Sequence, residues 1–222
     1  MESKFIRKCD NCGKEYYTYH SKICKCCSPK CSYEYRKKNG KVMGIGINDL
    51  NIKVTDNNKI EKFYELWRNM LYRVQHKKPY QNCSICTEWI YLSNFKRWFD
   101  ENYVEGYELD KDLFSKDDKC YSPQTCCFIP HYINNVIVIG ERYKELPIGV
   151  SKYKDKYRTY YSDTQKGKQK FIGYFDTPQE AHIAYCEKKY AVIKEVAEEA
   201  LSKGEIDNRI YEALLNYKIP MY

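Results

Sequence analysis

Two cysteine pairs near the start of the chain decide how that stretch can fold. Cys9-x-x-Cys12 makes one knuckle, and Cys27-Ser-Pro-Lys-Cys31 supplies a second pair about one small hairpin later. The segment from 4 to 38 is too short and too polar for a core of its own. Four thiolates at tetrahedral positions around a zinc ion replace that core, so metal binding becomes folding free energy. Cys24 and Cys26 are surplus, and either could stand in for Cys27. Around the knuckle Lys4, Arg7, Lys8, Lys14, Lys22, Lys25, Lys30, Arg36, Lys37 and Lys38 meet few acids, a surface suited to phosphate.

The whole chain carries 12 cysteines in 222 residues, and its start does not read as a signal peptide. A cytoplasmic location is expected, with the cysteines serving zinc rather than disulfides. No apolar run approaches a bilayer span, so no membrane role is expected. A formal net charge of +8 favours a polyanionic partner, because each neutralised phosphate releases counterions. The 24 tyrosines in so polar a chain read as amphipathic packing residues. Gly44-x-Gly46 lacks a third glycine and a following helix, which excludes a dinucleotide site, and no other small-molecule cofactor is indicated.

From Lys38 to Asn58 the Gly, Asn and Asp content reads as a linker that could lay one strand. Ile60, Phe63, Trp67, Met70, Leu71 and Val74 then recur at helical spacing and predict an amphipathic helix ending before Pro79. A second helix is expected from near Ser93, carrying Phe95, Trp98 and Phe99. Between them lies Cys83-x-x-Cys86, which could join Cys120, Cys126 or Cys127 in a second zinc site; otherwise these thiols are small core residues.

Residues 109 to 135 read LDKDLFSKDDKCYSPQTCCFIPHYINN. Asp110 and Asp112 flank Lys111 before a polar turn, Thr125 to Pro130 is apolar, and His131, Asn134 and Asn135 fall on a short helix. Strand, turn, strand and helix would bring Asp110 and Asn134 together. Taken alone, the two aspartates are turn carboxylates and Asn134 caps a helix. The pattern resembles the HNH, or His-Me finger, nucleases, and within them the phage endonucleases that carry LDKD and YSPxTC forms with upstream tryptophans, here Trp67, Trp89 and Trp98. The resemblance implies a ββα fold in which Asp110 and Asn134 hold magnesium or manganese at the leaving oxygen of a phosphodiester. Lys111 stands where the family has its general-base histidine, and Thr125-Cys126 where it has Asn-Leu. Lysine is a poor base beside two carboxylates, which leaves Asp112, or a water that it holds, to prepare the nucleophile. Tyr121 and His131 stay open for that role.

The stretch from 149 to 190 alternates apolar and polar residues over two or three strands and enters a long helix through the capping box Thr177-Pro-Gln-Glu180. Ala181, Ala184, Tyr185 and Lys188 are expected to line one helix face. Alternation turns Tyr157, Thr159 and Tyr161 toward the helix and Arg158, Tyr160 and Ser162 outward, with Gln169 and Phe171 on the same outward face. The Gly-Val, Lys-Tyr-Arg, Ile-Gly-Tyr-Phe-Asp-Thr and Ala-Tyr elements resemble the plant ethylene-response-factor (APETALA-type) DNA-binding domain. That resemblance implies a sheet lying in the major groove, with Lys152, Lys154, Lys156, Lys168 and Lys170 on phosphates and Arg158 on guanine. Ser151 and Tyr153 stand near positions that are arginine in the plant pattern.

The expected fold is α+β: a zinc knuckle over 1–40, a linker over 41–58, a ββα-metal (HNH-like) core with flanking helices over 59–140, a three-stranded antiparallel sheet packed on one helix over 148–202, and a terminal helix over 203–222 carrying Ile210, Ala213 and Leu214. The expected function is metal-dependent, site-preferring cleavage of double-stranded DNA, of the homing-like phage kind. Its rival is a non-catalytic, sequence-preferring DNA-binding protein on a degenerate HNH scaffold. An RNA-binding zinc protein would instead expose aromatic rings for stacking on unpaired bases.

Overall fold

The computed structural model describes residues 5–18, 25–50, 52–56, 59–114, 118–137, 145–163 and 168–220. Lys4, Lys22, Cys24 and the polar turn at 115–117 lie outside them. The chain divides into two compact units, Met1–Phe99 and Asp100–Tyr222. It mixes helices with small antiparallel sheets, the α+β composition expected from the sequence.

In the first unit β1 (Phe5–Lys8) and β2 (Glu15–Thr18) form an antiparallel hairpin. Its loop turns through Gly13 at φ 74°, a left-handed value that favours glycine. Helix α1 (Pro29–Asn39) starts with proline, whose missing N–H costs nothing in a first turn. The stretch expected as a linker is instead part of the packing. At Gly46 an added Cβ would stand 2.4 Å from Leu71 Cδ1 and 2.8 Å from the Trp67 ring, so only a glycine lets this backbone lie there. Ile47 then donates its N–H to Ile90 and accepts from Leu92.

A minimal hairpin of β3 (Thr55–Asp56) and β4 (Lys59–Ile60) leads into α2 (Lys62–His76), which ends before Pro79 as the periodicity predicts. Phe63, Trp67, Met70 and Leu71 form its buried face. After β5 (Ser84–Ile85) comes α3 (Leu92–Asn102), where the Asp49 carboxylate accepts the Ser93 N–H at 2.9 Å. Trp67 donates its indole N–H to the carbonyl of Trp89 at 2.8 Å, and Trp89 meets Trp98 and Phe95 at ring-centre distances of 4.7 and 5.1 Å. Trp67, Trp89 and Phe95 are fully buried, and each such ring contributes about 1.5–3 kcal/mol or more of apolar transfer, with Trp98 half-buried beside them.

The second unit opens with β6 (Tyr107–Asp110), β7 (Cys120–Tyr121), β8 (Cys127–Pro130) and α4 (His131–Ile137). Strands β6 and β8 pair antiparallel, with Glu108 opposite Ile129 and Asp110 opposite Cys127. A three-stranded antiparallel sheet follows, β9 (Val150–Tyr153), β10 (Lys156–Asp163) and β11 (Lys168–Phe175), with β10 in the middle. Helix α5 (Pro178–Ser202) begins with the expected capping box, Thr177 and Glu180 bonding reciprocally. Its first half covers the sheet. Ala181 is buried there, while Lys188 is exposed and Lys189 is the buried lysine.

The second half of α5 does different work. Ile193, Val196, Ala197 and Ala200 join Ile129 of β8, Ile133 and Val136 of α4, and Ile210 and Leu214 of α6 (Asn208–Leu215) in one apolar core. The terminal helix, whose docking place the sequence left open, therefore closes over the strand-strand-helix unit. Arg209 of α6 also donates to the Gln124 carbonyl at 2.7 Å and lies 3.9 Å from the Phe114 ring centre. A single helix of 25 residues, about 37 Å long, thus runs from the sheet into the core beside α4. Among the described residues no helix is long and apolar enough to cross a membrane.

Candidate functional site

Among the described residues three places bear chemistry. At the first, the Sγ atoms of Cys9, Cys12, Cys27 and Cys31 all lie within 4.8 Å of one another. Cys27 is 3.6 Å from both Cys12 and Cys31. Tetrahedral thiolates about 2.3 Å from a metal stand about 3.8 Å apart, so the donor set fits an ion such as zinc. The local sequence builds this site. The Cys9 N–H bonds Lys14 across the knuckle, the Cys27 N–H reaches Cys9 Sγ at 3.4 Å, and Ser28 Oγ accepts the Cys31 N–H at 3.1 Å. Burial pushes the Cys9 thiol up, but N–H groups of Cys12, Cys27 and Asn11 outweigh it and bring the pKa down to about 6. The Ser28 hydroxyl leads the groups that lower Cys31. Cys27 completes the cluster, and the neighbouring Cys26 thiol is pushed up by burial and then by Cys9.

The second place is the strand-strand-helix unit. The Ser122-Pro-Gln-Thr125 turn is locked by reciprocal bonds, Ser122 N–H to Thr125 Oγ1 at 3.1 Å and Thr125 N–H to Ser122 Oγ at 3.3 Å, which aim β8 at β6. Cys126 and Cys127 are buried on that path, and burial pushes the Cys126 thiol up to about 12, so they are core thiols in these surroundings.

At the end of β6 the Asp110 Oδ1 accepts the N–H groups of Asp112 and Leu113 at 2.9 and 2.8 Å. This is the turn geometry that a lone aspartate would adopt, and both bonds fall on one oxygen. Burial raises the Asp110 pKa despite those two donors. The Lys111 side chain is buried, ion-paired to Asp112 and 5.7 Å from the Tyr121 ring centre. Lysine and the proposed base therefore neutralise each other.

Asn134 is held by a residue that sequence reasoning missed. Glu108, two residues before Asp110 and so on the same face of β6, accepts the Asn134 amide N–H on Oε2 and faces His131 Nδ1 from Oε1 at 2.7 Å. His131 Nε2 stands 2.8 Å from the Asn135 amide. The Asn134 Oδ1 is buried and has no hydrogen-bond partner. Unpaired buried oxygens are costly, and this one suits a cation ligand. The i to i+2 spacing was the available signal, since it puts Glu108 on the same face of the strand as Asp110, toward which Asn134 was expected to come.

The third place is the open face of the sheet. Register puts Ser151, Tyr153, Lys156, Arg158, Tyr160, Ser162, Gln169 and Phe171 on it, away from buried Thr159. Pleat parity divides the expected basic set. Lys152 is opposite Tyr157 and Lys170 opposite Tyr161, so both belong to the helix side, where they remain exposed at the margins; Lys154 sits in the β9–β10 turn. A register shift between Thr159 and Tyr160 leaves Ile172 unpaired, and past this bulge Tyr174 faces outward opposite Arg158. Plain alternation from Phe171 would have chosen Gly173; a glycine inside a strand was the cue to a bulge. Arg158 lies over Tyr153 at 5.0 Å and Tyr160 at 5.7 Å, and its Nε donates to Ser151 Oγ at 3.3 Å. In comparisons with protein-family models, with curated proteins and with solved structures, nothing matches this chain.

Proposed function

We propose that the chain is a metal-dependent DNA endonuclease of the HNH type, in which the sheet module binds DNA and the strand-strand-helix unit hydrolyses a phosphodiester. The observation that carries this reading is the buried, unpartnered Oδ1 of Asn134, turned away from the amide nitrogen that Glu108 holds. Asp110 and Asn134 would hold magnesium or manganese, which when bound offsets negative charge on the leaving 3′ oxygen. Glu108 orients Asn134 in the way that outer partners orient metal ligands. A water would attack phosphorus as the bond to the 3′ oxygen breaks, and Asp112, once released from Lys111, would take the proton of that water. A structural zinc in the four-cysteine cluster completes the N-terminal knuckle. Lys156 and Arg158 on the sheet face supply phosphate and base contacts.

A second reading, a DNA-binding protein without turnover, is favoured by one feature: the buried Lys111 at the base position is ion-paired to Asp112. Supercoiled plasmid incubated with the protein in magnesium or manganese separates the two. Nicking that Asp110→Ala and Asn134→Ala abolish, with DNA binding retained, supports the nuclease. Binding without nicking in either metal leaves the second reading.

A further inference from the structure

The open sheet face carries more aromatic surface than a groove reader needs. Tyr153, Tyr160, Phe171 and Tyr174 form a continuous row, with ring centres 5.4 Å apart for Tyr153 and Tyr174, 4.9 Å for Tyr174 and Phe171, and 5.2 Å for Phe171 and Tyr160. Tyr174 and Phe171 meet at 59° and Phe171 and Tyr160 at 55°, closer to edge contact than to stacking, while Tyr153 and Tyr174 at 31° lean toward parallel. Phe171 is 48% and Tyr174 50% exposed. A contiguous apolar patch of this kind on a polar chain marks a binding surface. Its setting names the partner. The module from 149 to 176 has seven Lys and Arg against three Asp, and the planar guanidinium of Arg158 is fixed within the row by Tyr153, Tyr160 and Ser151.

Exposed rings beside a fixed guanidinium match unpaired bases, which stack on aromatic side chains while cations hold the phosphates. Bases in an intact duplex offer only their edges, which are read by hydrogen-bonding side chains in the major groove. We infer that this face binds a single-stranded stretch of DNA, such as a gap, overhang or opened strand, in preference to intact duplex. This rests on the sheet being the nucleic-acid surface of the proposed function, and it specifies the form of DNA that the surface takes.

The test is fluorescence anisotropy of the full chain with a labelled oligonucleotide, single-stranded and as its duplex, at matched salt. The variants are Phe171→Ala with Tyr174→Ala, and Phe171→Leu with Tyr174→Leu, which keeps apolar bulk without rings. Tighter binding of the single strand is expected, with at least about a tenfold loss in both double variants on the single strand and little change on duplex. Their exposed positions predict native circular dichroism, which separates loss of stacking from loss of fold. Duplex preference, or equal losses on both forms, would overturn the inference while leaving the sheet a DNA surface. A native chain that binds neither form overturns both, and self-association through this face, lost in the same variants, would assign it to a second copy instead.

Discussion

Glu108 on strand β6 accepts the side-chain amide of Asn134 on helix α4, and the other end of that amide, its Oδ1, is buried without a partner. The amide is therefore held by its nitrogen alone. Glu108 touches His131 with its second oxygen, so one carboxylate fixes two side chains of α4.

Replacing Glu108 tests that relation. Glu108→Ala frees the Asn134 amide to rotate, and metal-dependent nicking is expected to fall by about 10- to 100-fold, as for other outer partners of metal ligands. Glu108→Gln, which still offers an oxygen to the amide, should recover part of the loss. Melting temperatures close to native would show that the effect is orientation and not folding.

Asp110 makes a prediction of sign. Burial raises its pKa, so the folded state favours the protonated carboxyl. Its stabilising contribution is therefore full below the unfolded pKa of about 4 and lost as pH rises toward and through the folded value. Asp110→Asn keeps an oxygen for the Asp112 and Leu113 N–H groups and removes the charge. Urea unfolding at neutral pH should show a gain of about 0.5–2 kcal/mol that vanishes in acid, together with loss of nicking.

The cysteine cluster predicts one zinc per chain by elemental analysis. Cys9→Ser or Cys12→Ser should lower that content and loosen β1, β2 and α1, while α2 and α3 retain their apolar contacts. Thiolate ligands compete with protons, so zinc affinity should rise with pH and the ion should be released on acidification. A chromogenic chelator follows the release.

Gly149 combines two demands, a φ of 83° and a Tyr185 ring that an added Cβ would approach to 2.3 Å. Gly149→Ala should destabilise the sheet module by about 1–3 kcal/mol, through left-handed strain and overpacking together. Denaturant unfolding measures it. Gly204→Ala, with a similar φ and open space around the position, isolates the backbone share.

Local chemistry was legible wherever neighbouring residues decide it. The Thr177 capping box, the apolar stripe of α2 and the alternation through Thr159 all act within a few residues of themselves, and the cysteine cluster, though its halves meet across the hairpin, shows itself as two short-spaced pairs, Cys9 with Cys12 and Cys27 with Cys31. What stayed hidden depends on tertiary contact. Gly46 looked like linker glycine because its partners, Trp67 and Leu71, come more than twenty residues later. The bulge at Ile172 shifts one strand against its neighbour and turns Tyr174 outward in place of Gly173. The docking of α6 on Ile129 and Ile133 joins residues about eighty apart, and no periodicity reports that.

The most direct measurement is titration of manganese followed by electron paramagnetic resonance, since free manganese gives a signal that binding removes. The native chain, with its zinc retained, is expected to take up one manganese ion at the strand-strand-helix unit, and Asp110→Ala and Asn134→Ala should each lose it. Uptake unchanged in both variants, or none by the native chain, would contradict a divalent-metal centre at Asp110 and Asn134.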